Sequence, residues 1–301
     1  MDPVRGVIVR ALLAALRDGP RRALLVALVL ALLGPGAAAA TPPLSTFEPE
    51  QELELLEAVE VAGWRVETWG PAEGAWFREA VLRLVGTDGG VAFETRDAWL
   101  SVVEQQVEPG WRGDLVAMAA GDDLNGDGGP NLLLEGFSGG AHCCFTYTML
   151  ALDEAGVMVL MELFTSHAGA SVVDLAGDGR RQLVTADMRY AYEFCSFAES
   201  PAPTVVFALE PEAVVVANLD FAEVYQREVV WALERVLLME EDAWPESHAC
   251  ALAQLVLSLL YGGREAAAEA ALVQLDRSGD PASFREALWA IAEASPWFQR
   301  P

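Results

Sequence analysis

Two stretches, Asp123-Leu-Asn-Gly-Asp-Gly-Gly-Pro-Asn-Leu-Leu-Leu134 and Asp174-Leu-Ala-Gly-Asp-Gly-Arg-Arg-Gln-Leu-Val-Thr185, stand 51 residues apart and align without a gap. Each is an Asp/Gly-rich loop running into an apolar segment of strand type. Such a unit used twice is the mark of a repeated β element, and two copies are too few to close a propeller. In the first copy Asp123, Asn125, Asp127 and Asn131 fall at loop positions 1, 3, 5 and 9, with the Gly129 carbonyl at position 7. Oxygens at alternate positions on a tightly curled backbone suit Ca²⁺, which takes about six to eight hard oxygen donors. Gly126 and Gly128 permit the φ > 0 turns that such a curl needs. Position 12 is Leu134 rather than an acid, and a strand follows rather than a helix, so the loop is not an EF-hand. The second copy keeps Asp174 and Asp178 but has Ala176 and Gln182 at positions 3 and 9. It is expected to bind weakly or to serve as a turn.

The pattern D-x-[DN]-x-D-G-x-x-[DN] before an apolar strand resembles the FG-GAP or VCBS repeat of integrin α-chain propellers and of many exported bacterial proteins. Asp123, Asn125, Asp127 and Asn131 match it, while Ala176 and Gln182 depart from it. The resemblance covers about residues 119 to 210 and lacks the Phe-Gly…Gly-Ala-Pro half of the repeat. It implies a structural Ca²⁺ and a role in adhesion or ligand display. The segments SGGAHCC at 138–144 and RYAYEFCSFAES at 189–200 are similar to those of uncharacterised exported bacterial proteins, a likeness that implies no function.

Outward from the loops the register changes twice. Residues 41–49 read as a linker, and residues 50–60 (EQELELLEAVE) carry apolar spacing that predicts a short helix. Between Trp64 and Val107, the runs WRVETW, AVLRLV, VAFET and WLSVV predict strands, with Thr-Asp-Gly-Gly at 87–90 as a hairpin turn. After about Pro211, four segments show 3.6-residue apolar spacing and together predict three or four amphipathic helices. The expected fold class is α+β: a β-rich domain with two Asp/Gly loop-strand units, followed by a C-terminal helical subdomain. The boundaries are 41–110, 111–210 and 211–301.

The first forty residues read as an export signal. Arg21 and Arg22 precede an apolar run from Ala23 to Leu33, then Gly34-Pro35-Gly36 and Ala37 to Ala40 as a cleavage region. The run is shorter than the roughly 20 residues of a spanning helix, so cleavage after Ala40 with no stable membrane span is expected. A retained anchor is the alternative, because the segment before Arg21 is itself partly apolar. Removing these residues leaves 14 basic against 43 acidic side chains, a formal charge of −29. That excludes a basic footprint for nucleic acid. All four cysteines, Cys143, Cys144, Cys195 and Cys250, lie in the mature chain, where an oxidising compartment favours disulfides. Adjacent Cys143 and Cys144 are expected to find different partners, Cys195 and then Cys250.

Rival sites are weaker. Gly136-Phe-Ser138-Gly-Gly140 satisfies G-x-S-x-G, with His142, His167 or His248 as candidate bases, but Ser138 precedes β-prone sequence where a nucleophile elbow needs a helix. His142 with the cysteines suggests a soft-metal site, although adjacent cysteines are poorly spaced for one ion. Glu240-Glu241-Asp242 and Asp122-Asp123 are carboxylate groups of the kind a glycosidase uses. Trp64, Trp69 and Trp76 are candidates for a carbohydrate platform. The reading that results is a non-enzymatic exported protein stabilised by Ca²⁺ and disulfide, whose ligand is a protein or a carbohydrate. A secreted hydrolase is the alternative.

Overall fold

The computed structural model describes residues 53–71, 79–110, 113–140, 144–154, 156–239, 244–277 and 280–300. The export-signal region, the linker, Trp76, His142, Cys143 and Glu240 to Asp242 lie outside these. The described residues form a β-rich α+β fold of three four-stranded antiparallel sheets and four C-terminal helices, and residues 52–301 are one compact unit. Sheet 1 is a meander of β1 (Leu53–Val61), β2 (Trp64–Pro71), β3 (Ala80–Val85) and β4 (Val91–Asp97). Sheet 2 contains β5 (Trp99–Val102), β6 (Asn131–Phe137), β7 (Phe145–Leu152) and β8 (Val157–Ser166). Sheet 3 contains β9 (Ser171–Val173), β10 (Gln182–Ala186), β11 (Thr204–Leu209) and β12 (Val214–Val216). The helices are α1 (Val224–Leu238), α2 (Pro245–Tyr261), α3 (Glu265–Leu275) and α4 (Pro281–Ala294).

Side-chain alternation explains the layers. In β6, Leu132 and Leu134 join Leu82 and Leu84 of sheet 1 in one core, while Leu133 on the opposite face joins Leu183 of sheet 3 and the α2 side chains in another. Successive residues of a strand point to opposite faces, so a strand covered on both sides reads as an unbroken apolar run, as Asn-Leu-Leu-Leu does. Helix α2 is buried on every side from Cys250 through Tyr261, with the polar Gln254 and Ser258 bonded to each other, so it is a central helix rather than the amphipathic one its spacing predicted.

Residues 53–61 form a strand, not the helix their spacing predicted. They pair antiparallel with β2, Val59 opposite Val66 and Val61 opposite Trp64, and a register shift between Leu55 and Glu57 breaks the strict alternation. That shift puts apolar residues at a spacing that mimics a helical face, and the tight turn at Ala62 and Gly63 supplies the strand partner. The turn at 87–90 is as expected: the Asp88 carboxylate accepts the Gly90 N–H at 2.8 Å between β3 and β4.

Candidate functional site

The two Asp/Gly loops have the same internal architecture. The Asp123 carboxylate accepts the N–H groups of Gly126 at 2.7 Å and Gly128 at 3.0 Å; Asp174 accepts those of Gly177 at 2.7 Å and Gly179 at 2.9 Å. Asp127 accepts the Gly129 N–H at 2.7 Å, and Asp178 the Arg180 N–H at 3.1 Å. Gly126 and Gly128 have φ of 78° and 86°, Gly177 and Gly179 of 68° and 87°, so both curls use glycine in the left-handed region. At position 9 the carboxamide oxygen of Asn131 accepts the Leu124 N–H at 2.7 Å, and that of Gln182 accepts the Leu175 N–H at 2.8 Å. Asn131 and Gln182 are buried and lead directly into β6 and β10. They brace the loop against the strand that follows it.

The loops differ in charge. In the second, the Arg180 guanidinium forms an ion pair with Asp178 at 2.8 Å and holds its carboxyl below the ordinary range. Position 7 of the first loop is Gly129, and among the described residues no ion pair engages Asp123 or Asp127. The outer Asp127 oxygen accepts instead the Asn125 side-chain N–H at 3.1 Å, and the same amide donates to the Pro211 carbonyl at 3.0 Å. The loops are tied to each other by Arg181, whose guanidinium lies 3.6 Å from Asp122.

This donor set fits Ca²⁺ in part. Asp123 and Asp127 keep lone pairs beyond those their N–H donors use, since a carboxylate offers about four acceptor positions. Asn125 faces Asp127 with its nitrogen, and the Asn131 oxygen is occupied by two backbone N–H groups, those of Leu124 and Asn125. A cation here would rest on the two carboxylates and water, a weaker set than the five-residue one read from spacing. Sequence spacing missed the bracing role of Asn131 and the charge compensation by Arg180. Both become visible when position 9 (Asn, Gln) and position 7 (Gly, Arg) of the copies are compared.

Ser138 sits in the connection from β6 to β7, two strands paired in one hairpin. Its hydroxyl oxygen accepts the Cys144 N–H at 2.7 Å, a turn-closing role. Gly136 belongs to β6, where an added Cβ would meet the Asp97 carboxylate at 2.6 Å, so this glycine reflects close packing. His167 stacks edge-on against Phe197 at 4.8 Å, and His248 lies buried on α2. The expected pairing of Cys195 with Cys143 or Cys144 is overturned: Cys195 bonds Cys250. The loop after β10 lies against α2, which brings the two together. Cys144 is disulfide-bonded as well. Trp64 and Trp69 stand on opposite faces of β2, being an odd number of residues apart. The Trp64 indole donates to the Asp153 carbonyl at 3.1 Å and that of Trp69 to Glu67 at 2.9 Å. They form no shared platform.

No protein-family model matches the chain, and no solved structure matches it. Over 153 residues, half of the chain, it is 26% identical to an uncharacterized protein of Sinorhizobium fredii. Over 158 residues, again half of it, the chain is 28% identical to a probable thylakoid lumen protein of Synechocystis. These matches span 24% of the first relative's length and 45% of the second's. Among the described residues no helix is long and apolar enough to cross a membrane.

Proposed function

We propose that this is an exported, non-enzymatic binding or structural protein whose β region carries one Ca²⁺ loop of FG-GAP-like type, held by Asp123 and Asp127. The contrast at position 7 carries the reading. Where the second loop supplies its own cation in Arg180, the first presents two carboxylates on a glycine-rich curl that no ion pair among the described residues engages. A bound cation there neutralises both carboxylates and cross-links positions 1 and 5 of the loop. Export is supported by the apolar leader, by the Cys195–Cys250 disulfide, which persists in oxidising compartments, and by the lumen relative. The net charge of −26 favours cations and basic protein surfaces as partners, and carbohydrate is the alternative ligand.

Thermal melting with Ca²⁺ or EGTA tests the loop. Ligand at a hundred times Kd adds about 2.7 kcal/mol, so the wild type should shift, Asp127→Ala should not, and Asp178→Ala should shift as the wild type does. A wild type indifferent to Ca²⁺ removes the metal from the proposal. N-terminal sequencing of protein recovered outside the cytoplasm tests export, with Thr41 expected first.

A further inference from the structure

Among the described residues no strand is exposed over so long a run as β1, where Glu54 to Glu60 are all exposed. It pairs with β2 on one side, and among the described residues its other edge pairs with no strand. Beside it lies a cleft of about 420 Å³ between sheets 1 and 2, with Val59, Val66, Val102 and Ala120 among its walls. Glu57 and Glu104 line the cleft too, and no basic residue does. Glu57 stands opposite Thr68 and Val59 opposite Val66, so both side chains share the face of sheet 1 that looks into the cleft. An open backbone edge beside an apolar cleft with an acidic rim is a docking surface for an extended chain.

Charge decides what fits there. Among the described residues no hydrogen bond or ion pair engages the side chain of Glu57 or Glu104. Strand β1 carries Glu54, Glu57 and Glu60 and no cation, and the Arg65 that stands opposite Glu60 on the outer face is already paired with Glu67. A second copy does not fit. Two β1 edges paired antiparallel about Glu57 would set Glu54 against Glu60 and Glu57 against itself, and like charges directly opposite repel. A partner of the opposite charge meets attraction at the same positions.

We propose that β1 and this cleft bind an extended segment of a basic partner protein, added antiparallel to sheet 1 as a further strand. Its backbone takes up the open N–H and C=O groups of β1, so main-chain bonds hold it and side chains select it. Arginine or lysine opposite Glu54, Glu57 and Glu60, with aliphatic residues opposite Leu55, Val59 and Val61, matches both faces of the strand. Leu56, the extra residue between the pairs Leu55–Trp69 and Glu57–Thr68, stands outside this register. This partner rests on the reading of the chain as a binding protein given above, and not on its Ca²⁺ loop.

Fluorescence anisotropy of the dye-labelled peptide Val-Arg-Val-Thr-Arg-Val-Arg, titrated with the oxidised protein in EGTA at about 0.15 M salt, tests this surface. Saturable binding with a Kd of about 100 µM or tighter is expected, and the same composition in blocks, Arg-Arg-Arg-Thr-Val-Val-Val, should bind about fivefold or more weakly. Methylating alternate peptide nitrogens should abolish binding in one phase and spare it in the other, because only one edge of an added strand pairs. Glu57→Lys should weaken binding about fivefold or more relative to Glu234→Lys, which makes the same change of net charge at an exposed position of α1. The peptide comparisons need no variant, and EGTA keeps a failure of the Ca²⁺ loop from deciding the outcome. Equal binding of the block peptide, indifference to both methylation patterns, equal affinity of the two lysine variants, or no saturation by about 500 µM would overturn the proposal, as would a dimer of the protein that Val59→Lys disperses.

Discussion

The hydroxyl of Tyr261 donates to the carboxylate of Asp187 at 2.7 Å, and both residues are fully buried. The bond joins the last residue of α2 to the residue after β10, so it ties the helical layer to sheet 3. The Ser295 hydroxyl donates to the same carboxylate oxygen at 2.5 Å, bringing in the end of α4, and the Arg189 N–H donates to the other at 3.1 Å. A carboxyl group buried inside a protein is tolerated only with such hydrogen-bond partners. Tyr261→Phe removes one donor with little change of shape, and should cost about 1–3 kcal/mol in urea unfolding. The double variant Tyr261→Phe with Ser295→Ala should depart from the sum of the two single changes, because donors sharing one acceptor couple. Strict additivity of the pair would show that the network is not cooperative.

The Cys195–Cys250 bond closes a loop over a separation of 55 residues. Chain entropy for a loop of that length gives about 4 kcal/mol. Replacing both cysteines by serine should lower stability to denaturant by an amount of that order, and the m-value should rise as the unfolded chain expands. The double variant is preferable to chemical reduction, which also acts on the bond at Cys144. An unchanged midpoint would mean that α2 holds the loop without the covalent link.

Much of this was legible in sequence because single elements announce themselves. Ala-Val-Leu-Arg-Leu-Val became β3 from Ala80 to Val85, and the segment predicted as the second C-terminal helix became α2. The 51-residue repeat also predicted two equivalent loops, and the shared hydrogen bonds of Asp123 and Asp174 follow from identical glycine positions. What the sequence could not give depends on partners. Residues 53–61 carry spacing that a helix and a bulged strand share, and the availability of β2 decided between them. Cysteine connectivity is not encoded in cysteine positions. The Tyr261–Asp187 bond spans 74 residues, and neither residue stands out locally.

Asn131 and Gln182 make a prediction that separates bracing from metal binding. Each oxygen closes its own loop on backbone N–H groups, so alanine at either position leaves a donor, buried at Leu124 and part-buried at Leu175, without its acceptor. The cost should be about 1–3 kcal/mol at both sites, with or without Ca²⁺. Asn131→Gln should be tolerated better than Asn131→Ala, because Gln182 shows that the longer amide can do the same work. Gly128→Ala should cost a further about 1–2 kcal/mol from left-handed strain alone, since nothing lies within 4 Å of the added carbon. If Asn131→Ala destabilises only when Ca²⁺ is present, Asn131 is a ligand and its bracing role is secondary.

His248 should leave a signature in the pH dependence of stability. Its folded pKa lies below the ordinary value because burial disfavours the charged ring, with Arg277 repelling the proton and Asp276 opposing in part. The unfolded chain takes up the proton first as pH falls, at its ordinary pKa near about 6.5. The contribution of the neutral ring to stability is therefore complete above about pH 6.5 and is lost progressively as pH falls through the folded pKa. Falling pH also relieves repulsion among the many carboxylates, so the wild-type curve alone mixes two opposing effects. The difference between wild type and His248→Leu isolates the imidazole: urea unfolding at about pH 8, 7, 6 and 5 should show wild type losing ground to the variant only at the acidic end. Parallel curves would place the same pKa in the folded and unfolded states, and the imidazole in contact with water.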